Sequence, residues 1–242
     1  MIKAAGLTKR YGTQEALRDF SLEVSPGEIV ALVGPNGAGK TTALKLLVGL
    51  LTPTAGEAWL GDSHVIRQAL EAKRVLAFVP DQPFLYDQLT VAETLGFIGG
   101  MYQLDPSTVR QHAEALIQLF GLTDQVTRRV GQLSYGMKSR LALIAGLLHE
   151  PKAFILDEPF FGLDPQTLRL TKQLLRECAA QGMAILLSTH QLFIVEDIAH
   201  RIVILSHGRV AALGTWSQLK QLHGGTSLED VFFQLTGTGT PP

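Results

Sequence analysis

Apolar residues recur along this chain in two rhythms. Runs rich in valine, isoleucine and leucine, several of them apolar at every position, occupy residues 22–24, 28–33, 75–79, 153–156, 183–188, 201–205 and 209–213. They predict strands, and the uninterrupted runs predict strands covered on both faces, because successive side chains point to opposite sides of a sheet. Spacings of three and four predict helices over residues 40–48, 91–101, 106–119, 135–148, 165–180, 192–199 and 228–235. Strands and helices alternate at both ends of the chain, whereas residues from about 83 to 151 offer helices alone. The expected organisation is a mixed α/β lobe made from residues 1–82 and 152–242, with a helical lobe, residues 83–151, inserted between them. No internal repeat is visible. Residues 236–242, Thr-Gly-Thr-Gly-Thr-Pro-Pro, lack an apolar anchor and are expected to be mobile.

Length and composition narrow the picture little. A chain of 242 residues can bury one large α/β core with an inserted lobe. Lys plus Arg is 21 against Asp plus Glu 22, so there is no bulk charge to hold nucleic acid, and no nucleic-acid partner is expected. Cys178 is the single cysteine and lies in a helical run, which excludes an internal disulfide and predicts a buried thiol. Residues 1–6 show no charged-then-apolar leader pattern. The mid-chain apolar stretch 141–148 is far short of the roughly 20 residues that cross a bilayer. The expectation is a cytoplasmic protein that meets a membrane only through a partner.

The chemistry enters with the strand that ends at Val33. It runs into Gly34-Pro35-Asn36-Gly37-Ala38-Gly39-Lys40-Thr41-Thr42 and then directly into a helical pattern. Glycines let successive N–H groups turn inward, and the following helix aims its positive end at the same point. Lys40 can then reach the outer phosphates of a nucleoside triphosphate and the Thr41 hydroxyl can ligate Mg²⁺. Further along, the apolar strand 153–156 delivers Asp157 and Glu158 to its carboxyl end, where ligands of open α/β sheets collect. Asp157 suits a Mg²⁺ site, and Glu158 suits the polarisation of an attacking water. Between these elements, Leu133-Ser134-Tyr135-Gly136-Met137 opens a helix, with Ser134 as its natural N-cap and Gly136 leaving backbone room.

The glycine loop, Leu133–Gly136, Asp157-Glu158, Gly162-Leu163-Asp164 and His190 after Leu187-Ser188-Thr189 occur in an order that resembles the ATP-binding subunits of ABC transporters. The resemblance covers essentially the whole chain. It resembles in particular the ABC-2 exporter type, which also ends in a segment like residues 227–236. It implies a P-loop NTPase (RecA-like) lobe with a small antiparallel β-subdomain and an inserted helical lobe. It implies ATP and Mg²⁺ as cofactors, with adenine stacked on Tyr11 and the phosphates held by residues 34–42 together with Ser134 and Gly136. Glu158 becomes the general base, His190 the residue at the γ-phosphate, and Asp164 a link between the two sites of a dimer. Thr41, Asp157 and the residue at Asp81 become the Mg²⁺ ligands. The implied partners are a second copy of the chain and an integral-membrane permease, at the inner face of the cell membrane.

Two departures from the family pattern bear on the site. Gly and Gln are usual where this chain has Tyr135 and Met137, and a Gln usually follows the strand that here ends in Val79-Pro80-Asp81-Gln82. Direct register puts Asp81 in the metal-facing position; a slip of one residue puts Gln82 there. The rival function is a soluble ABC-type ATPase acting on a macromolecular partner, and a further one is a nucleotide-binding scaffold without turnover. The transported substrate is not written in these residues.

Overall fold

The computed structural model describes residues 1–237. In chain order the elements are β1 (Ile2–Tyr11), β2 (Gln14–Val24), β3 (Ile29–Val33), α1 (Lys40–Leu47), β4 (Ala55–Leu60) and β5 (Ser63–His64). There follow α2 (Ala69–Arg74), β6 (Leu76–Val79), α3 (Val91–Met101), α4 (Pro106–Leu119), α5 (Tyr135–Leu147) and β7 (Ala153–Asp157). The chain continues through α6 (Pro165–Ala180), β8 (Ala184–Ser188), α7 (Leu192–Ile198), β9 (Arg201–Ser206), β10 (Arg209–Gly214), α8 (Trp216–His223) and α9 (Leu228–Thr236).

Two sheets form. The larger has six strands in the order β10-β9-β3-β8-β7-β6, parallel throughout except for the edge strand β10. Alternation along its central strands explains why they read as apolar at every position. Ile29, Ala31 and Val33 face a core shared with α3 to α9, while Val30 and Leu32 face a second core built with α1 and the smaller sheet. Phe154 and Leu156 of β7, and Ile185 and Leu187 of β8, point to the first side; Ala153, Ile155, Ala184 and Leu186 point to the second. Each fully buried Leu or Ile contributes about 2 kcal/mol by leaving water, so a polar residue inside these strands would be costly on either face.

The smaller sheet, β2-β1-β4-β5, is antiparallel. It is the part of the fold that periodicity misses: only residues 22–24 of it stand out as a strand. The reason lies in its irregular register. Buried positions on β1 run Ile2, Ala4, Leu7, and on β2 Leu17, Phe20, Leu22, Val24. Each strand skips a beat, at Gly6 (φ 61°) and at Asp19 (φ 49°), where the pairing shifts. A bulge adds one residue to one strand and flips the phase of everything beyond it, so the period-2 signal cancels. Helices α2 and α8 escape notice for another reason: each buries a single residue, Ala72 and Leu219 respectively.

Between β6 and β7 the chain forms α3, α4 and α5 and no strand beyond one isolated bridge from Thr90 to Arg129. The start of α3 is fixed by a capping box of Thr90 and Glu93. Pro106 behind the N-cap Asp105 starts α4. Among the described residues no helix is long and apolar enough to cross a membrane. Thr236, expected to begin a mobile tail, instead closes α9: it is buried, and its hydroxyl donates to the Phe232 carbonyl at 2.8 Å. Residues 238–242 of that expected tail lie outside the described residues.

Candidate active site

Because β3, β8 and β7 are parallel neighbours, their carboxyl ends open onto one edge of the sheet. Residues 34–42 follow β3, His190 follows β8, and Asp157 and Glu158 close β7. A cavity of about 680 Å³ lies at that edge. Its walls include Tyr11, residues 36–42, Asp81, Asp157 and Glu158. A larger cavity of about 820 Å³ lies between α3 and α4, lined by residues such as Leu95, Val109 and Ile117. It is mostly apolar and gathers no converging reactive groups, so the chemistry belongs to the smaller one.

Glycine is required in the loop by close backbone approach. A Cβ on Gly34 would stand 2.5 Å from the Leu205 carbonyl oxygen, and one on Gly39 (φ 104°) would stand 2.5 Å from that of Ala16. Gly39 is also the N-cap of α1 and offers no side-chain acceptor, which leaves the first N–H groups of the helix free for an anion. Lys40 bends back over the loop and donates to the Gly34 carbonyl at 2.6 Å and the Pro35 carbonyl at 3.1 Å. Burial pushes its ammonium below the ordinary lysine range, and the carboxylates of Glu158 and Asp157 partly oppose that. Lys40 thus sits as a partly desolvated cation hydrogen-bonded to loop carbonyls, a state that an incoming phosphate relieves.

Across the cavity, Asp157 is almost fully buried and accepts a very short hydrogen bond from the Ser188 hydroxyl of β8. Glu158 stands at φ 50°, an uncommon conformation for a residue with a side chain, held by its N–H donating to the Ser188 carbonyl at 3.0 Å. One oxygen of its carboxylate meets His190 Nδ1 at 2.9 Å and accepts the His190 backbone N–H at 3.4 Å. The Thr41 hydroxyl and the carboxylates of Asp157 and Asp81 are hard oxygen donors on one cavity, a set that suits Mg²⁺ completed by phosphate oxygens and water.

The residues singled out from the sequence do not all converge. Tyr11 reaches the cavity from the end of β1, half exposed, with Lys9 Nζ 5.3 Å from its ring centroid. Asp81 lines the cavity and Gln82 is not among its lining residues. Ser134 and Gly136 lie off this cavity, at the start of α5, where Ser134 accepts from Met137 N–H at 3.3 Å. Asp164 caps α6, accepting from Gln166 and Thr167 N–H at 3.0 Å each and from the Thr167 hydroxyl at 2.6 Å. Those bonds, the Thr167 hydroxyl first, hold its carboxyl below the usual range.

Sequence reasoning missed several contributors. Along the chain Ser188 figures only as part of the segment before His190, and its own role becomes visible only when β7 and β8 pair Asp157 with it. His207 and Gly208, in the turn between β9 and β10, line the cavity as well. Gly208 N–H donates to the Ala38 carbonyl at 3.0 Å and its carbonyl accepts from Arg18 at 2.7 Å, so this turn buttresses the loop. A His-Gly turn between two strands is the one sequence signal they offer, and nothing local points it at residue 38.

Comparisons with known proteins give the family of the chain. A family model described as ABC transporter matches residues 17–161. The Nod factor export ATP-binding protein I of Paraburkholderia xenovorans (strain LB400) is 36% identical over 93% of this chain and 74% of its own length. A solved structure described as the ATP binding subunit of an ABC transporter superposes with a TM-score of 0.93 at 33% identity, covering 97% of this chain and 99% of that one. A dimeric ATP-binding cassette in a post-hydrolysis state, bound to ADP and Pi, matches with a TM-score of 0.81 at 26% identity, over 89% of this chain and 98% of that one. The chain belongs to the ABC transporter family, as an ATP-binding subunit that binds ATP with Mg²⁺ and hydrolyses it.

Proposed function

We propose that this chain powers export as a symmetric homodimer, at the inner face of the cell membrane, through a separate integral-membrane permease. The observation that carries the reading is the division of the phosphate machinery. Lys40, Asp157 and Glu158 meet at one cavity, with His190 bonded to Glu158, while Ser134 and Gly136 stand off it on α5. One chain therefore holds half of each site, and a second copy related by a two-fold axis completes both. Closure on ATP and separation after hydrolysis follow from the γ-phosphate acting as the tether between copies.

In the hydrolytic step Glu158 accepts a proton from the water as its oxygen bonds to the γ-phosphorus, and the bond from phosphorus to the departing ADP oxygen breaks. His190, hydrogen-bonded to Glu158, orients that carboxylate and reaches the γ-phosphate. Lys40 holds the outer phosphate oxygens, and Tyr11 stacks on adenine, an interaction worth about 1–3 kcal/mol that tolerates other bases. Thr41, Asp157 and Asp81 would hold Mg²⁺, which supplies charge neutralisation on the phosphates.

Two features support a membrane partner and the direction of transport. Phe84 is 90% exposed, and Tyr86, two residues along, is exposed and meets the exposed Phe97 edge to face. An apolar cluster of this kind at the head of the helical segment suits a protein partner. Export draws on the relative named for Nod factor export. The test is Glu158→Gln. Turnover should fall by at least about 100-fold while an ATP-dependent dimer accumulates in light scattering. Wild-type turnover with no such dimer would show that Glu158 is not the base.

A further inference from the structure

Tyr135 stands where the family usually has glycine, and the structure gives its side chain three contacts. The hydroxyl donates to the Asp81 carbonyl at 2.7 Å, across 54 residues of sequence. The ring meets Phe161 edge to face, with centroids 5.9 Å apart. The same ring lies over Gly162, where a Cβ would come within 2.8 Å of it. One side chain at the first turn of α5 thereby touches both the segment that follows β6 and the loop that follows Glu158. One turn along, Lys138 forms an ion pair with Asp87 at 2.8 Å.

Residues 81–87 have no strand or helix of their own. Their far end is secured by main-chain bonds, with Gly131 N–H donating to the Asp87 carbonyl at 3.0 Å. At the cavity end the tie to α5 is the Tyr135 hydroxyl. The Lys138–Asp87 pair ties α5 to the other end of the segment, and water screens it because Asp87 is 62% exposed. Asp81 lines the nucleotide cavity, and Ser134 caps the helix that Tyr135 begins.

We propose that Tyr135 is a positioning residue that couples nucleotide contact at Asp81 to the placement of the Ser134 turn. Mg²⁺-ATP entering the cavity beside Asp81 would shift that residue's backbone, and the Tyr135 hydroxyl, bonded to its carbonyl, carries the first turn of α5 with it. The second half of the site is thus set in place by occupancy of the first, within one chain and before a second copy arrives. The inference rests on the nucleotide-site reading given above.

The experiment is amide hydrogen exchange on the full chain with and without Mg²⁺ and the β,γ-imido analogue of ATP, comparing wild type, Tyr135→Phe and Lys138→Ala. Phenylalanine keeps the ring against Phe161 and Gly162 and removes only the hydroxyl. In wild type the analogue should slow exchange at residues 37–43 and at residues 134–140. In Tyr135→Phe the slowing at 37–43 should persist, while that at 134–140 should shrink by about threefold or more. Steady-state turnover should show a matching split: kcat lower by about fivefold, with half-saturating ATP changed by less than about twofold. Lys138→Ala should follow wild type within about twofold. Equal slowing at 134–140 in wild type and Tyr135→Phe would overturn the proposal, as would wild-type slowing at 37–43 with none at 134–140. No slowing at 37–43 in wild type would overturn the nucleotide site itself, and this inference with it.

Discussion

The two halves of the phosphate machinery are held in place by different physics. On the sheet side, Lys40, the adjacent pair Asp157-Glu158, and His190 come from three parts of the sequence, yet parallel pairing of β3, β8 and β7 brings their positions together. Main-chain bonds and buried strands do the positioning, and side chains add only local trim such as the Ser188 bond to Asp157. On the α5 side, Ser134 and Gly136 ride on a helix whose first turn is tied to its surroundings by side chains, chiefly Tyr135. A framework of parallel strands is stiff because each position is locked by neighbours on both edges. A helix end tied by single side-chain bonds is free to move for about the cost of those bonds, which suits the half that must travel to meet a second nucleotide.

That contrast can be broken at several points. The largest effect should come from Lys40→Ala. ATP turnover should drop by about 100-fold or more, while the thermal midpoint holds or rises, because a partly buried ammonium is removed from a loop shaped by glycine and backbone. A collapse of the midpoint would mean that the sheet side depends on side chains after all. Gly34→Ala should destabilise the fold by about 1–3 kcal/mol, read from urea midpoints, since its Cβ would collide with the Leu205 carbonyl. An unchanged midpoint would show the loop to be softer than its contacts suggest. Ser134→Ala should cost about 1 kcal/mol of stability by loss of the N-cap bond to Met137. Ser134→Thr, which keeps a capping oxygen, should recover most of it.

The smallest effect is a pH dependence of ATP affinity. Burial lowers the Lys40 pKa in the free protein, and a bound phosphate favours the charged form, so binding is fully supported below that lowered pKa. Affinity should decline as pH rises through it, by less than about tenfold per pH unit. The folding linkage has the opposite sense: the cost of keeping Lys40 charged is present below the lowered pKa and fades as pH rises towards the unfolded value. Calorimetric titration of ATP between neutral and alkaline pH reads the first, and Lys40→Arg should move the decline to higher pH. An affinity flat across that range in wild type would remove Lys40 as its cause.

All six strands of the larger sheet stand within a residue or two of their expected limits, the central ones because fully buried strands read as uninterrupted apolar runs. Helices with a broad buried face, such as α5 and α6, were legible for the same reason. The antiparallel sheet was not, since the bulges at Gly6 and Asp19 erase the alternation on which a strand is recognised. The site divided in the same way. The glycine loop and Asp157-Glu158 announce themselves because their chemistry is concentrated in adjacent residues. Ser188, His207 and Gly208 do not, because each acts through a contact made across the fold.

By itself, then, the order of residues determined the parts: a loop that can wrap a phosphate, a strand that ends in two carboxylates, and a helix that starts with a capping serine. Those properties are local, set by which backbone angles, caps and apolar faces a few neighbouring residues allow. Only the tertiary structure decided which parts meet. It placed Asp81 rather than Gln82 on the cavity wall, set Ser134 away from it, and turned Tyr135 from a departure in a motif into a tie between two loops. Distances between residues 54 apart in sequence depend on how the core packs between them, and no spacing along the chain encodes that.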